Sequence, residues 1–189
     1  MCVSEVKLDN ISIGDEYDVP KYFKDDLFKF AGERRRPPYK WLLVGPQRSG
    51  TCSHIDPLAT SAWNTLISGR KYWAVFPPNV TKEFAKCKKY IRKNEDDEAI
   101  NYFVDHLPRL KHAYMNDTSG KVHRESFNSN YPCPFVEFVQ GPGDTVYVPG
   151  GWWHAVLNVE DSIAITQNFC SKQNFPKNFN LFFPFGDQN

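Results

Sequence analysis

The sequence lacks any long apolar run. The amino-terminal segment Met1–Lys7 has no apolar core of the signal-peptide type, and no later stretch is long enough to cross a bilayer. We therefore expect a soluble intracellular protein without a membrane partner. The five cysteines are odd in number and widely spread, and no Cys-x-x-Cys pair is present for zinc or redox chemistry. This cysteine usage favours a reducing compartment, the cytosol or the nucleus.

A strong charge of either sign is also missing. The chain has 23 Lys and Arg against 22 Asp and Glu, a formal net charge of +1, which argues against a polyanion-binding surface over the whole molecule. Any nucleic-acid contact is therefore expected to be local. The turn-rich segment 45–50 lacks the Gly-Lys-Ser/Thr ending of a phosphate-binding loop. The 189 residues fit one globular domain with its own core.

Short apolar segments bounded by Gly and Pro recur along the chain, which predicts β-strands. The predicted strands cover residues 39–44, 61–67, 71–76, 135–140, 145–148, 152–158 and 162–168. Several short strands separated by such turns indicate a mainly β barrel or sandwich with a few helices packed outside. Asp144 lies in the turn Gly141–Asp144 and is interpreted as a turn residue, not as an acid-base catalyst.

Between the two groups of predicted strands, the spacing of the apolar residues changes. Apolar residues at helical spacing predict a basic helix over residues 80–93, and the acids that follow Asn94 predict a second helix that ends at Pro108. Residues 111–134 are polar and without a period, so we expect a long surface loop in which His112 and His123 are exposed; His106, at a helix end, is equally unremarkable.

Two charged runs leave alternatives open. We interpret the basic helix as solvated surface, and the alternative is that it binds an acidic partner. We interpret the segment Arg34–Pro38 as a solvated linker, and the alternative is that it contacts nucleic acid.

His54 and Asp56 stand two residues apart at the start of the β-rich region. Alternate residues of an extended strand point to the same face, and Pro57 favours extended geometry at Asp56, so both side chains can reach one ion. By itself the His-x-Asp triplet is weak, and a satisfied histidine is the plain alternative. With His154 the three residues form the two-histidine, one-carboxylate set that leaves three positions open on non-haem Fe(II).

Lys71 opens an apolar strand and admits two interpretations. Its side chain can extend its charge out to water, or it can be the buried cation that holds the distal carboxylate of an acidic co-substrate. Thr166 and Asn168 share one face of the last predicted strand and are candidates to line a polar pocket, although threonine is also simply a good strand former.

Three long motifs resemble those of a known enzyme family. HIDPLATSAWNTLISGRKYW, GDTVYVPGGWWHAVLN and AITQNFCSKQNFP are similar to the JmjC (Jumonji C) Fe(II)/2-oxoglutarate dioxygenases, and within them to the branch of bifunctional arginine demethylases and lysyl hydroxylases. The similarity begins near Asp15, ends near Pro176 and is interrupted at residues 111–134.

The resemblance implies a cupin-like double-stranded β-helix, the jelly roll, with flanking helices. It implies Fe(II) held by His54, Asp56 and His154, which makes them the catalytic residues, and 2-oxoglutarate as co-substrate. The co-substrate contacts are carried over to Thr51, Asn64, Lys71 and Thr166, with Lys71 and Thr166 on the distal carboxylate. Trp41 and Asn168 match positions that line the pocket. The expected reaction consumes O2 and 2-oxoglutarate, yields succinate, and hydroxylates a lysine side chain or removes an N-methyl group as formaldehyde.

The same resemblance implies nuclear residence, with the cytoplasm as a second compartment, and basic protein substrates such as histone tails or Arg/Ser-rich splicing factors. An RNA contact and the oligomeric state stay open. We expect an arm at residues 1–38, a JmjC domain at 39–176 with the insertion 111–134, and a short tail at 177–189. Two alternatives remain: a non-catalytic JmjC scaffold that binds RNA or basic peptides, and a cupin-type enzyme that uses the same ligands with another metal.

Overall fold

A computed structural model of the chain describes the backbone of residues 4–7 and, in full, residues 17–30, 36, 38–122 and 135–175. Nine strands form its framework. They are β1 Ser4–Lys7, β2 Lys40–Gly45, β3 Gly50–His54, β4 Ser61–Ser68, β5 Lys71–Phe76, β6 Val136–Gln140, β7 Thr145–Val148, β8 Trp153–Asn158 and β9 Ser162–Phe169. The seven strands predicted from Gly/Pro-bounded apolar segments are all present, with ends that differ by one residue at most.

The strands form two antiparallel sheets. The larger sheet has the order β1-β2-β9-β4-β7 and the smaller has the order β3-β8-β5-β6. Strands that are distant in the chain are thereby paired: β3 with β8, and β2 with β9. The mainly β class and the two-sheet arrangement confirm the prediction, and the pairing of β3 with β8 joins the two sequence regions that carry the candidate metal ligands.

Two hydrophobic cores hold the sheets and helices together. The inner core lies between the sheets and contains Ala62, Trp73, Val75, Val148 and Val156. The outer core covers the other face of the smaller sheet, and its buried members include Ala74, Phe76, Phe84, Phe103, Leu107, Leu110, Ala155 and Leu157. Each leucine or phenylalanine buried in this way contributes about 1.5–3 kcal/mol. Since β5 faces both cores, it is apolar on both sides, apart from its first residue, Lys71.

The helices lie between β5 and β6 in the chain and pack on the outer core. They are α1 Lys82–Ala85, α2 Ala99–Asn101, a π-helical turn Tyr102–His106 and α3 Leu107–Met115, while single 3₁₀ turns are formed by Lys21–Phe23, Leu27–Phe30, Pro57–Ala59 and Lys88–Tyr90. No helix in the described part of the chain is long and apolar enough to span a membrane.

The predicted basic helix over residues 80–93 is wrong in its extent. The helix α1 ends after Ala85, and only a single turn, Lys88–Tyr90, follows it. Cys87 separates the two, because its backbone is left-handed with φ 52° and its side chain is fully buried. A left-handed residue ends the helical hydrogen-bond ladder, and the apolar spacing of the sequence does not reveal it.

The second predicted helix begins later and ends later than expected. Asn94 is left-handed with φ 72°, and the acids after it make local bonds: Glu95 accepts from the backbone of Arg92, and Asp96 accepts from the backbone of Glu98. Such side-chain bonds compete with helix formation, so the helix starts only at Ala99.

Pro108 does not end this helix. The backbone N–H of Leu107 bonds the carbonyl of Tyr102, five residues earlier, and Pro108 then lies in the first turn of α3, where no N–H is required. The predicted loop 111–134 therefore begins as helix, and α3 continues to Met115. His112 is exposed as predicted, whereas His123 and the rest of the stretch 123–134 lie outside the described residues.

His106 and Arg36 correct two further predictions. His106 is fully buried in the π-helical turn, with Nε2 3.3 Å from the carboxylate of Glu95. Arg36 is not a solvated linker residue: its side chain is 6% exposed, pairs with Asp26 and stacks on the ring of Tyr39. Arg34, Arg35, Pro37 and the tail 177–189 lie outside the described residues.

Candidate metal centre and co-substrate cavity

The pairing of β3 with β8 places the two candidate histidines opposite each other. His54 and His154 are register partners, and their ring centroids are 4.2 Å apart. Asp56 follows the end of β3 with extended φ/ψ of −60° and 142°, which keeps its side chain on the same side as His54. Its Oδ1 lies 3.7 Å from Nε2 of His54 and 3.8 Å from Nε2 of His154. The three predicted ligands therefore converge on one point.

Backbone carbonyls fix which ring nitrogen of each histidine faces that point. Nδ1 of His54 lies 2.8 Å from the carbonyl of Cys52, and Nδ1 of His154 lies 3.2 Å from the carbonyl of Trp152. Since a carbonyl only accepts, each Nδ1 is the protonated nitrogen. In the neutral imidazole each Nε2 then presents a lone pair toward Asp56, which is the tautomer that a metal ligand requires.

The charges and the unpaired atoms of the triad also fit a cation. Burial lowers the pKa of His154 to about 3, so this ring is neutral at physiological pH, and burial raises the pKa of Asp56. Oδ2 of Asp56 is buried and has no hydrogen-bond partner among the described residues. One ligand atom from each of the three residues lies within 4.8 Å of the others. A divalent cation would satisfy the orphaned carboxylate oxygen and both nitrogen lone pairs.

Close approach of two turns completes the centre. Leu58 and Ala59, just after Asp56, both have left-handed backbones, with φ 57° and 52°, a conformation that costs non-glycine residues about 1–2 kcal/mol each. The turn before His154 packs on this segment: a Cβ built on Gly150 lies 2.3 Å from the carbonyl of Ala59. The first glycine of the Pro-Gly-Gly motif therefore lets the two ligand-bearing segments come together.

A cavity of about 400 Å³ opens between the sheets at the triad. Its walls follow rows of register partners. In the smaller sheet, Thr51, Val156 and Trp73 form one row directly behind the histidines. In the larger sheet, Trp41, Thr166 and Asn64 form the facing row, and Asn168, Ala62 and Val148 form the next. All nine residues line the cavity.

Five of the six predicted co-substrate and pocket residues thus line the same cavity as the triad: Thr51, Asn64, Thr166, Trp41 and Asn168. Two of them already have partners. The hydroxyl of Thr166 donates to the carbonyl of Trp63 at 2.7 Å, so binding a carboxylate would require this proton to rotate. Asn168 donates to Oγ1 of Thr60 at 2.9 Å.

Lys71, the sixth, lies deeper. It is 2% exposed and is not among the cavity-lining residues. It occupies the same face of β5 as Trp73, two residues away, so its side chain lies inside the barrel beyond the Thr51 row. Burial lowers the pKa of Lys71 to about 8. The structure therefore contradicts the interpretation in which the side chain extends to water, while its contact with a co-substrate stays a prediction.

Several residues at the site were not foreseen from the sequence. Phe28, Tyr39 and Leu58 also line the cavity, and the Asp26–Arg36 pair contacts Phe28 and Tyr39. Asn158 is the acceptor for the ammonium group of Lys71 at 2.7 Å. A signal for Asn158 existed, because it follows His154 by four residues in one strand and therefore shares its face. Asp144 accepts from the backbone of Gly141 at 2.8 Å, which confirms its interpretation as a turn residue.

A family model described as "JmjC domain, hydroxylase" matches residues 41–169. The matched region contains all three residues of the triad and the strands β3 to β8 in full. It also includes every predicted co-substrate residue, from Trp41 at its start to Asn168 near its end.

Curated relatives agree with this match. The "Bifunctional arginine demethylase and lysyl-hydroxylase psr-1" of Caenorhabditis elegans is 42% identical over 164 residues, which cover 86% of this chain and 37% of that protein. The "Arginine-specific demethylase JMJ22" of Arabidopsis thaliana is 38% identical over 159 residues, 84% of this chain and 28% of that protein. The "2-oxoglutarate and iron-dependent oxygenase JMJD4" of Mus musculus is 27% identical over 164 residues, 86% of this chain and 34% of that protein. The chain thus spans about a third of the length of these relatives.

Proposed function

The chain belongs to the JmjC family of hydroxylases, and on that premise we propose that it is an Fe(II)- and 2-oxoglutarate-dependent protein hydroxylase that acts on lysine side chains. The observation that carries the proposal is the convergence of His54, Asp56 and His154 on a cavity between the sheets, with the buried ammonium group of Lys71 beyond the cavity wall. A metal with three open positions and a cation at a fixed distance suit a keto-dicarboxylate better than a neutral or monoanionic ligand.

The residues around the cavity would bind either the metal or the co-substrate. Nε2 of His54, the carboxylate of Asp56 and Nε2 of His154 would hold the iron, with each imidazole oriented by its backbone carbonyl. Lys71 would bind the distal carboxylate of 2-oxoglutarate, and Thr51, Asn64 and Thr166 would contact the same molecule. When bound, iron and 2-oxoglutarate supply the oxidising chemistry, in which R–H, O2 and 2-oxoglutarate yield R–OH, succinate and CO2.

Apolar side chains around the triad would keep water from the reacting carbon. Trp73, Val148 and Val156 belong to the inner core and line the cavity at the same time. Phe28, Tyr39 and Leu58 also line the cavity, and we assign to them the passage of the substrate side chain. A long, flexible lysine side chain is suited to pass these residues and bring a methylene carbon to the metal.

The finer features of the function rest on the relatives. Their names describe demethylation of arginine as well as hydroxylation of lysine, and we include N-methyl arginine as a second substrate class. From the motif resemblance we also propose basic nuclear proteins of the histone or Arg/Ser-rich splicing type as partners, and the nucleus as the location. Imaging of the fluorescently tagged chain tests the location.

The decisive experiment measures succinate formed from 2-oxoglutarate by the purified, Fe(II)-loaded chain, with and without an Arg/Ser-rich peptide that contains lysine. We expect peptide-stimulated turnover that is lost in His54→Ala, and a mass increase of the peptide by one oxygen atom. Formaldehyde release from a peptide with N-methyl arginine would show the second reaction. A folded, iron-bound chain without turnover on any such peptide would favour the non-catalytic binding module.

A further inference from the structure

A buried polar row crosses the smaller sheet just beyond the row of Thr51, Val156 and Trp73 in the cavity wall. Lys71 in β5 is the register partner of Asn158 in β8 on one side and of Gln140 in β6 on the other. All three side chains are nearly inaccessible, with 2% of Lys71 exposed and 1% of each amide. Three adjacent polar side chains without access to water would be costly unless their arrangement satisfies them.

The two amides have different tasks within this row. Gln140 accepts from the indole of Trp73 and donates to the backbone carbonyls of Asn64 and Asp144. The hydrogen-bonding groups of Gln140 therefore join the smaller sheet to β4 and to the turn before β7. Asn158, in contrast, directs its Oδ1 at the ammonium group of Lys71 at a distance of 2.7 Å.

The orientation of the Asn158 amide follows from its neighbours. The hydroxyl of Ser49 donates to the carbonyl of Pro46 at 2.6 Å, so its oxygen is left as an acceptor for Nδ2 of Asn158 at 2.9 Å. With Nδ2 directed to Ser49, Oδ1 has to face Lys71. The hydrogen-bond network thus fixes an acceptor, and not a donor, beside the ammonium group.

The backbone of Asn158 is hydrogen-bonded, as its side chain is. Its N–H donates to the carbonyl of Ser49, and its carbonyl accepts from the N–H of Arg48, each at 2.8 Å. The turn between β2 and β3 is therefore joined to β8 at this residue. Asn158 cannot move its side chain independently of this turn, so the acceptor beside Lys71 has a defined position.

The distance of this row from the metal centre fits a short dicarboxylate. Val75 is the register partner of His154, and Lys71 precedes it by four residues in β5, a separation of about 13 Å between Cα atoms. The row of Thr51, Val156 and Trp73 lies between them. A five-carbon keto-dicarboxylate and the lysine side chain together would fill this space.

We propose that Asn158 is a positioning residue that holds the ammonium group of Lys71 for the distal carboxylate of 2-oxoglutarate. This inference rests on the proposed function, and it adds a residue that contacts neither metal nor co-substrate. An ammonium group has three donors; one is held by Asn158, which sets the direction of the others. Without that acceptor the buried ammonium would lose its fixed position and its charged form would become less stable.

The test compares two ligands that differ only at the distal end. The chain is loaded with Mn(II), and calorimetry gives the affinities for 2-oxoglutarate and for 2-oxopentanoate, which has the same carbon chain without the second carboxylate. We expect wild type to prefer 2-oxoglutarate. In Asn158→Ala the affinity for 2-oxoglutarate should fall about tenfold, while the affinity for 2-oxopentanoate stays within about twofold.

A double-mutant cycle separates positioning from general support of the fold. In the background of Lys71→Met, Asn158→Ala should leave the ratio of the two affinities unchanged. Gln167→Ala is the matched control for truncation of another buried amide, since Gln167 accepts from the hydroxyl of Tyr17 and, in the described hydrogen bonds, does not contact Lys71. If Asn158→Ala does not fold, Asn158→Asp preserves the shape, and its charge next to Lys71 should lower the same ratio.

Each outcome has one meaning. Equal weakening of both ligands, or an effect of Asn158→Ala that persists with Lys71→Met, would show that Asn158 only supports the turn and would overturn the inference. A wild-type preference for 2-oxoglutarate that Asn158→Ala leaves intact and Lys71→Met removes would overturn it as well, with the proposed function unharmed. A wild-type chain that binds both keto acids equally would overturn the proposed function and this role of Asn158 together.

Discussion

Arg36 and Asp26 form a buried ion pair beside the cavity, with 6% and 9% of their side chains exposed. The other oxygen of the Asp26 carboxylate accepts from the backbone N–H groups of Phe28 and Cys170, each at 3.0 Å. The guanidinium lies on the ring of Tyr39, with 3.1 Å between Cζ and the centroid. A single carboxylate thus joins the amino-terminal segment, the start of the domain and the residue after β9.

Breaking this pair should destabilise the protein strongly. Asp26→Asn leaves the guanidinium buried without a countercharge, and we expect the free energy of unfolding to fall by about 3 kcal/mol. Urea denaturation measures the change. The matched control is Glu160→Gln, because Glu160 pairs with Arg70 at the surface, with 50% and 61% of their side chains exposed, and this change should cost at most about 1 kcal/mol. Equal effects at the two sites would contradict a structural role for the buried pair.

Loss of one metal ligand should abolish metal binding without unfolding the chain. His154→Ala removes one of three donors, and we expect the affinity for Co(II), measured by its absorption spectrum, to fall at least about 100-fold. His112→Ala changes an exposed histidine of α3 and should leave the affinity unchanged. Retention of the wild-type spectrum in His154→Ala would show that the metal is held elsewhere.

Binding of 2-oxoglutarate should weaken in alkaline solution. The pKa of Lys71 is lowered to about 8 by burial, so the ligand-free protein loses this positive charge as the pH rises through 8. The ratio of the affinities for 2-oxoglutarate and 2-oxopentanoate should be constant below pH 8 and fall by up to about tenfold per pH unit above it. Calorimetry from pH 6.5 to 9.5 measures this ratio, in which effects common to both ligands cancel.

Lys71→Met provides the control for this pH dependence. The variant has no titrating group at the position, so its ratio should be low and independent of pH. A ratio that falls with the same slope in wild type and in Lys71→Met would assign the titration to another group.

A side chain at Gly150 should separate the two halves of the metal centre. Because the added Cβ of Gly150→Ala would lie 2.3 Å from the carbonyl of Ala59, the turn before His154 has to move away from the segment after Asp56. We expect weaker metal binding and a loss of about 1–3 kcal/mol in the free energy of unfolding. Gly141→Ala is the control, because its added Cβ would lie 3.5 Å from Oδ2 of Asp144, which is an ordinary van der Waals distance. Unchanged metal affinity in Gly150→Ala would show that the two turns adjust independently.

Seven of the nine described strands were predictable from the sequence because they are short, apolar and bounded by Gly or Pro, whereas β1 and β3 are mostly polar and carry no such signal. The helices were less so. Cys87 and Asn94 adopt left-handed backbones that no apolar period reveals, and Pro108 is accommodated by a π-helical turn that depends on the packing of Tyr102, Phe103 and His106. The spacing of apolar residues indicates the secondary structure that a segment prefers by itself. These three helix boundaries were set instead by the residues against which the segment packs.

For the site, the long motifs led to His54, Asp56 and His154, which the structure brings together, but spacing alone did not join them. The pairing of β3 with β8, about 100 residues apart in the chain, is a tertiary property. The burial of Arg36 has the same origin: a run of arginines usually indicates solvated chain, and only the position of Asp26 in space reverses that expectation. Asn158 was missed because an amide at the end of an apolar strand looks like a turn residue.

The carbonyls that orient His54 and His154 belong to Cys52 and Trp152, each two residues earlier in the chain. Each ligand therefore takes the orientation of its Nδ1 from the backbone next to it. A substitution elsewhere on the cavity wall leaves both of these carbonyls in place. An arrangement of this kind ties the direction of each metal-binding nitrogen to the course of the main chain.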